Sequence, residues 1–494
     1  MVAEGEGVVE ISKAISAAAT FYEKVRYLID YREEHTIRRA AIERILKRRI
    51  LIEKRMIAGE ALLQELVEGQ YLPGASASEM WVAEIDRIIA HFMQLQVLSG
   101  RTKHLAKLLI SFAASEIESL FSAREHVIDS ASVDAFYQTI RKHVIVPGFA
   151  EEHIDVQTYC ACRRALLASD DAALSYALWL MYVPDWKRGE TDLESLAGNL
   201  KAITNTIHVA VEDQLHWQIV QRIKNESIYF RIVRELLIQK TGEAESILMD
   251  SAKMDAFTKD FLEKKYEREN ERIKSSGVRA VAYLFFTKMI VALSIEAPYE
   301  YFFVGAVAYP QLITNIIFHP ALLFALTRRV KALGESNTNA IIKGLHGVLY
   351  QGTVRSIRVY ARYTNFTRLF AAMYVVLFFG VFGAIITILQ AFQFNIVGTT
   401  LFLFFLALVS YFAYRIRRNA SRWKVSGGES AASLIVNVLA VPVVRAGRWL
   451  SRTFSTINVF VLIMDFIIES PFRLLLNFSH QFIVYLREKA DEVY

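Results

Sequence analysis

The chain of 494 residues carries 57 Lys and Arg against 51 Asp and Glu, a net charge of +6, and is 53% hydrophobic and 12% aromatic. Such an apolar share leans toward a membrane protein and leaves enough chain for two or three domains. The positive balance does not indicate nucleic acid. From Ser276 onward there are 21 Lys and Arg against 9 Asp and Glu, whereas the part before it holds 36 against 42. The excess therefore sits between and after the hydrophobic runs, where anionic headgroups and topology rules place it.

The start, Met1-Val-Ala-Glu-Gly-Glu-Gly, has neither the basic segment nor the apolar run of a secretory signal peptide. Residues 1–275 are accordingly expected on the cytoplasmic side, as an all-helical domain, either single or of two subdomains meeting near Pro147. Apolar residues recur at helical spacing nearly throughout. Helices are expected over Val8–Asp30 and Ile37–Glu68, with Leu72-Pro73-Gly74 as a break and Ser76-x-x-Glu79 as a capping box. Further helices are expected over Glu79–Leu98, Lys103–Phe121, Val133–His143, Asp155–Ala168 and Asp171–Tyr182. After a loop over Pro184–Gly189, Thr191-x-x-Glu194 caps a long helix reaching about Lys224, and Glu226–Lys240 and Glu243–Lys274 follow.

Three features of this half bear on chemistry. Arg38–Arg55 interleaves bases with aliphatic residues, and Arg38, Arg39, Lys47 and Arg48 could meet anionic lipid or form the solvated face of a core-facing helix. Aromatic interleaving for base stacking is missing, which argues against nucleic acid. His208-x-x-x-Glu212-x-x-x-His216 would share one face of a continuous helix and is a weak metal candidate. It lacks the second Glu-x-x-His helix that carboxylate-bridged bundle sites use. Cys160 and Cys162 are too close for an ordinary disulfide and lack the second pair of a structural zinc site, so they read as reduced cysteines on one helix. No phosphate loop, dinucleotide fingerprint, H-E-x-x-H or G-x-S-x-G occurs, and no cofactor is expected.

From 276 the pattern changes to a transmembrane region reaching 415. Val278–Ala297 is a candidate span with Lys288 near its middle, Pro298–Tyr301 a turn, and Phe302–Thr327 a second span. Pro310, Asn315, His319 and Pro320 make that second span a kinked or broken one. The linker 328–368 is basic. Leu369–Leu389 and Ile396–Tyr414 carry no charge and are each about the 20 residues that cross the hydrocarbon. They form a hairpin around Gln390–Asn395. Arg415, Arg417, Arg418, Arg422 and Lys424 follow. Lys and Arg accumulate on the cytoplasmic side of short loops, so both basic linkers are expected there, along with both termini.

Residues 416–494 are ambiguous. Ala431–Val444 looks too short to cross and contains Pro442, while Thr456–Phe472 is apolar apart from Asp465 and Glu469. These segments lie in the interface as amphipathic helices or form another hairpin, before a charged tail. The fold class is thus all-α: about four spans, C-terminal to a large helical domain. The leading functional expectation is a non-enzymatic scaffold or adaptor in the cell membrane. It would contact the bilayer, anionic headgroups, a protein partner and a second copy of itself. A transporter, channel or translocation component using Lys288, Asn315, His319, Asp465 and Glu469 is the alternative, and a metalloenzyme on His208, Glu212 and His216 the remote one.

Overall fold

A computed structural model describes residues 34–54, 57–69, 71–72, 79–100, 102–328, 334–360, 364–425 and 431–457. The expected helix Val8–Asp30, the capping residue Ser76, and Asp465 and Glu469 lie outside them. The chain forms two compact units. One comprises residues 1–268, 333–362 and 423–426, and the other 269–332, 363–422 and 427–494.

The first unit is a stack of helices: α1 (Glu34–Lys47), α2 (Gly59–Glu68), α3 (Glu79–Leu98), α4 (Lys103–Phe121), α5 (Ala123–Arg141), α6 (Glu151–Leu167), α7 (Asp171–Tyr182), α8 (Leu193–Glu212), α9 (Leu215–Gln239), α10 (Ala244–Met249) and the opening of α11 (Ser251–Val291). The starts are set by short polar side chains that satisfy otherwise orphaned backbone N–H groups. Thr102 Oγ1 accepts from Leu105 N, Asp170 Oδ1 from Ala173 N, and Asp192 Oδ1 from Glu194 N. The last shows Asp192, rather than Thr191, opening α8. Apolar residues gather into one cluster around Phe92, Phe112, Trp179 and Trp186 and a second around Val133, Phe136, Ile219 and Phe230.

The expected helix Ile37–Glu68 is interrupted: α1 widens into a π turn over Arg48–Ile52 and gives way before α2. Lys54 there takes a left-handed φ of +53°, a conformation that ends helices. The long helix expected to reach Lys224 is also divided. The chain turns at Asp213–Gln214, where Asp213 Oδ1 accepts from Leu215 N.

Two segments from late in the sequence complete this unit. The linker expected as a basic loop folds into α14 (Glu335–Leu349), once α13 (Tyr309–Arg328) has been made in the other unit, and then into a short strand. Ile341 and Leu345 of α14 are fully buried with Ile228, Ile232, Leu262 and Trp423. At Gly344 a Cβ would overlap the Tyr229 hydroxyl, so only glycine lets α14 and α9 approach so closely. Strand β2 (Ile357–Arg358) pairs in parallel with β1 (Val144–Ile145), Val144 facing Ile357. Asn337 joins the linkers: its Nδ2 donates to the Trp423 carbonyl at 2.7 Å and to Tyr266 Oη at 2.8 Å, while its Oδ1 accepts from Val425 N at 2.8 Å.

The second unit holds the rest of α11, a π turn Ala292–Glu296, α12 (Ala297–Tyr299), a second π turn Glu300–Val304, then α13, α15 (Thr364–Ala391), α16 (Ile396–Ala420) and α17 (Ala431–Ile457). Among the described residues, four stretches are long and apolar enough to cross a membrane: Tyr309–Thr327, Leu369–Ala391, Ile396–Arg418 and Ser433–Ser451. Three of them coincide with expected spans, and Ser433–Ser451 takes the place of the fourth. Val278–Ala297 is not among them, because α11 ends at Val291 in a π turn. Pro298–Tyr301 is helical; the chain turns at Gly305, whose φ is +86°. The helix after it runs unbroken from Tyr309 through Pro320, with Pro310 in its first turn, where its missing N–H costs nothing. Ala431–Val444 is part of a 27-residue helix that contains Pro442 without ending, long enough to cross. At Gly447 a Cβ would overlap the Ala407 carbonyl oxygen, which puts α17 backbone to backbone on α16, a small-residue contact usual between membrane helices.

If the linker helix is part of the first unit's core, Leu345→Ala should destabilise that unit by about 2–5 kcal/mol. Thermal unfolding followed by the near-ultraviolet signal of the Trp179–Trp186 cluster checks this; an unchanged transition would mean that α14 packs only superficially.

Candidate functional site: a buried polar cluster in the apolar unit

Lys288, Glu296, Glu300, Asn315 and His319 are each at most 1% exposed. Asn315 and His319 lie four apart on α13 and so share one face. An uninterrupted α-helix would set Glu296 about 80° round from Lys288. The π turn Ala292–Glu296 takes up an extra residue per turn, and both side chains reach the same partner on α13.

That partner is Asn315. Its Oδ1 accepts from Lys288 Nζ at 2.5 Å, and its Nδ2 donates to both oxygens of Glu296 at 2.8 Å. The carboxamide thus bridges ammonium and carboxylate, using one polar end for each. Lys288 Nζ also donates to His319 Nδ1 at 2.7 Å and stands 4.7 Å from the centre of the Phe405 ring. His319 Nε2 lies 2.9 Å from the Phe402 carbonyl, which can only accept. With hydrogen on Nε2 the ring donates to Phe402 and Nδ1 accepts from the ammonium; Nδ1 also stands 3.2 Å from the Asn315 carbonyl. The neighbouring Glu300 accepts from Ala308 N at 2.8 Å and from Asn395 Nδ2 at 2.6 Å, and Asn395 Oδ1 caps α16 by accepting from Gly398 N. Gly398 leaves room for the Glu296 carboxylate, since a Cβ there would lie 2.8 Å from its Oε1. Each ion has a counter-charge or a full set of hydrogen bonds, the condition for burying charge at tolerable cost.

The structure brings Lys288, Asn315 and His319 together. Glu296, Glu300 and Asn395 join the cluster without being sequence candidates. Glu296 had a signal: it is the only acid in Val278–Ala297, and a lone acid in a run with a lone lysine asks for a common partner.

The proposed metal face does not form. His208 and Glu212 end α8 with side chains 59% and 69% exposed, 3.6 Å apart, while His216 lies beyond the Asp213 turn, buried in α9. His216 Nδ1 donates to Gln157 Oε1 at 3.0 Å. Among the described residues no group of three metal-ligating side chains occurs. Cys160 and Cys162 are free and buried on α6; burial pushes the Cys160 thiol up to about 12, which makes it a poor nucleophile.

The basic candidates of α1 are ion-paired within the first unit: Arg38 with Glu118, Arg39 with Glu43 and Asp170, Lys47 with Glu43, and Arg48 with Glu65. Arg415, Arg417 and Arg418 stand in the last turns of α16. A buried carboxylate also sits in the first unit, where Glu116 accepts from Trp186 Nε1 at 2.8 Å and burial raises its pKa. No protein-family model matches the chain, and comparison with curated proteins and solved structures yields no match.

Two outcomes follow. Asn315→Leu removes the bridge and leaves two buried charges, so it should cost about 3–5 kcal/mol, whereas the double change Lys288→Met, Glu296→Gln should be close to neutral; thermal unfolding in mild detergent distinguishes them. In the first unit, burial pushes His216 down to about 4. The folded state keeps it neutral while the unfolded chain takes up a proton near pH 6.5. Stability is then level above pH 6.5 and falls toward pH 4, by at most about 1.4 kcal/mol per pH unit for this group. His126, also lowered to about 4, adds the same sign, and Glu116 the opposite. His216→Leu should flatten the fall in a melting series across pH 7.5 to 4.

Proposed function

We propose that the chain is a non-enzymatic multi-pass membrane scaffold, with the helical unit on the cytoplasmic side as its docking body and the apolar unit as its anchor. The observation that carries this is that the linkers between apolar helices belong to the helical unit: residues 333–362 and 423–426 share its core with α9 and the opening of α11. Segments folded into one unit lie on one side of a bilayer. The hairpin of α15 and α16 then leaves that side and returns to it. For α13 to return the chain to the side of α14, the helical path from Glu269 to Val304 must carry it outward. The basic residues of both linkers agree with a cytoplasmic placement. A domain joined to its anchor at several chain passages suits an adaptor that positions partners at a membrane.

A second reading, ion or proton translocation, is favoured by the buried cluster, since ionisable groups inside a membrane are functional candidates by default. The balanced Lys288→Met, Glu296→Gln variant separates the two. In proteoliposomes a scaffold shows background proton and cation flux with either protein; flux lost in the variant would establish translocation and displace the first reading. Cysteines placed at Ser336 and Gln393 should label from opposite faces of sealed vesicles, and equal labelling would overturn the placement of the linkers. Photo-crosslinkers at the exposed Val127 and Met249 in native membranes should give discrete adducts with a scaffold's partners, and none if the domain meets only solvent.

A further inference from the structure

Helices α15, α16 and α17 enclose an open groove of about 540 Å³, within the range of small-molecule sites. Its walls are aromatic and aliphatic, with Tyr374, Phe378 and Phe382 on α15, Phe404 on α16 and Trp449 on α17; among the described residues lining it, Arg445 alone is charged. Arg445 lies inside Ser433–Ser451, one of the four apolar stretches. Its guanidinium stands over the Tyr374 ring, 4.7 Å from the centroid. That contact lowers the cost of the charge but leaves it uncompensated. Among the described residues no carboxylate forms an ion pair with it.

We propose that this groove holds an anionic phospholipid, one acyl chain lying against Tyr374, Phe378, Phe382 and Trp449 and the phosphate pairing with Arg445. Charge complementarity selects this occupant. A planar guanidinium in an otherwise apolar trough matches a molecule with a hydrocarbon body and one anionic end. Arg445 is twelve residues from Ser433 on its own helix, while Tyr374 is five residues inside the start of the apolar run at Leu369, about 8 Å along the helix, and side chains of α17 lean toward that helix's own N-terminus. The guanidinium therefore inclines toward the end of the groove from which a headgroup enters. The close approach of α17 to α16 at Gly447 keeps the floor of the trough fixed.

The test uses the full chain in nanodiscs of phosphatidylcholine containing a low fraction of phosphatidylglycerol, with bromine on the acyl chains of one lipid or the other. Trp449 emission is read as the difference from Trp449→Phe. Brominated phosphatidylglycerol should quench Trp449 well beyond its share of the lipid, and brominated phosphatidylcholine should not. Arg445→Gln should raise the phosphatidylglycerol fraction for half-maximal quenching about tenfold, while Arg445→Lys retains a preference. Ala446→Leu, which narrows the groove with the arginine in place, should abolish it. Equal quenching by the two lipids in the wild-type protein would mean that ordinary boundary lipid covers the face, and absence of quenching by either would mean that residues 458–494 or a second copy fills it. Either result overturns the proposal without recourse to a variant.

Discussion

The carboxamide of Asn337 is the point on which the architecture depends. It fastens the segment between α13 and α15 to the segment between α16 and α17 through the Trp423 carbonyl and the Val425 amide. With Ile341 and Leu345 buried beside it, the linkers are interior parts of a helical core. This constrains the apolar helices more strongly than hydropathy can. Hydropathy says which segments are able to enter lipid; shared core membership says which of their ends belong together.

A second constraint comes from the apolar surroundings. Polar groups with no water nearby have to satisfy one another, and the Lys288–Asn315–Glu296 bridge does so with one neutral side chain between opposite charges. The helix geometry accommodates that requirement: two π turns in close succession replace what would have been a regular helix. Such turns are often found at functional positions, and here they aim Glu296 and Glu300 at Asn315 and Asn395.

Periodicity and caps place α3, α4 and α7 at their observed ends, because each is bounded by a break or a short polar residue. The same reasoning fails at α1 and α8, where π geometry at Arg48–Ile52 and the Asp213 turn interrupt runs whose apolar spacing continues across them. The all-α class and the charge-free hairpin of α15 and α16 are legible from composition alone. Which further helices suit lipid is less so, since Lys288 lies in a run that looks apolar and Pro442 in one that looks interrupted. Within the polar cluster, Lys288, Asn315 and His319 stand out as isolated polar residues. Glu300 and Asn395 look like turn residues, and their burial comes from folding that no local pattern encodes. His208, Glu212 and His216 show the reverse: a regular spacing in sequence that a single turn dismantles.

The pairing of Val144 with Ile357 has a consequence for biosynthesis. More than two hundred residues separate these partners, and α13 must be made between them. The helical domain's cluster around Phe92 and Trp179 is complete within the first half of the chain, but its clusters around Phe136 and Ile228 cannot close while the ribosome is still completing that half. Its seat for α14, around Ile228 and Ile232, stays bare until α13 has left the translation machinery, and the contact with Trp423 waits for the α15–α16 hairpin as well. Long-range closure of this kind is slow and leaves apolar surface exposed meanwhile. A nascent chain of this design therefore depends on timely delivery to the insertion apparatus, and truncated products ending before residue 345 should be conspicuous clients of the quality-control system.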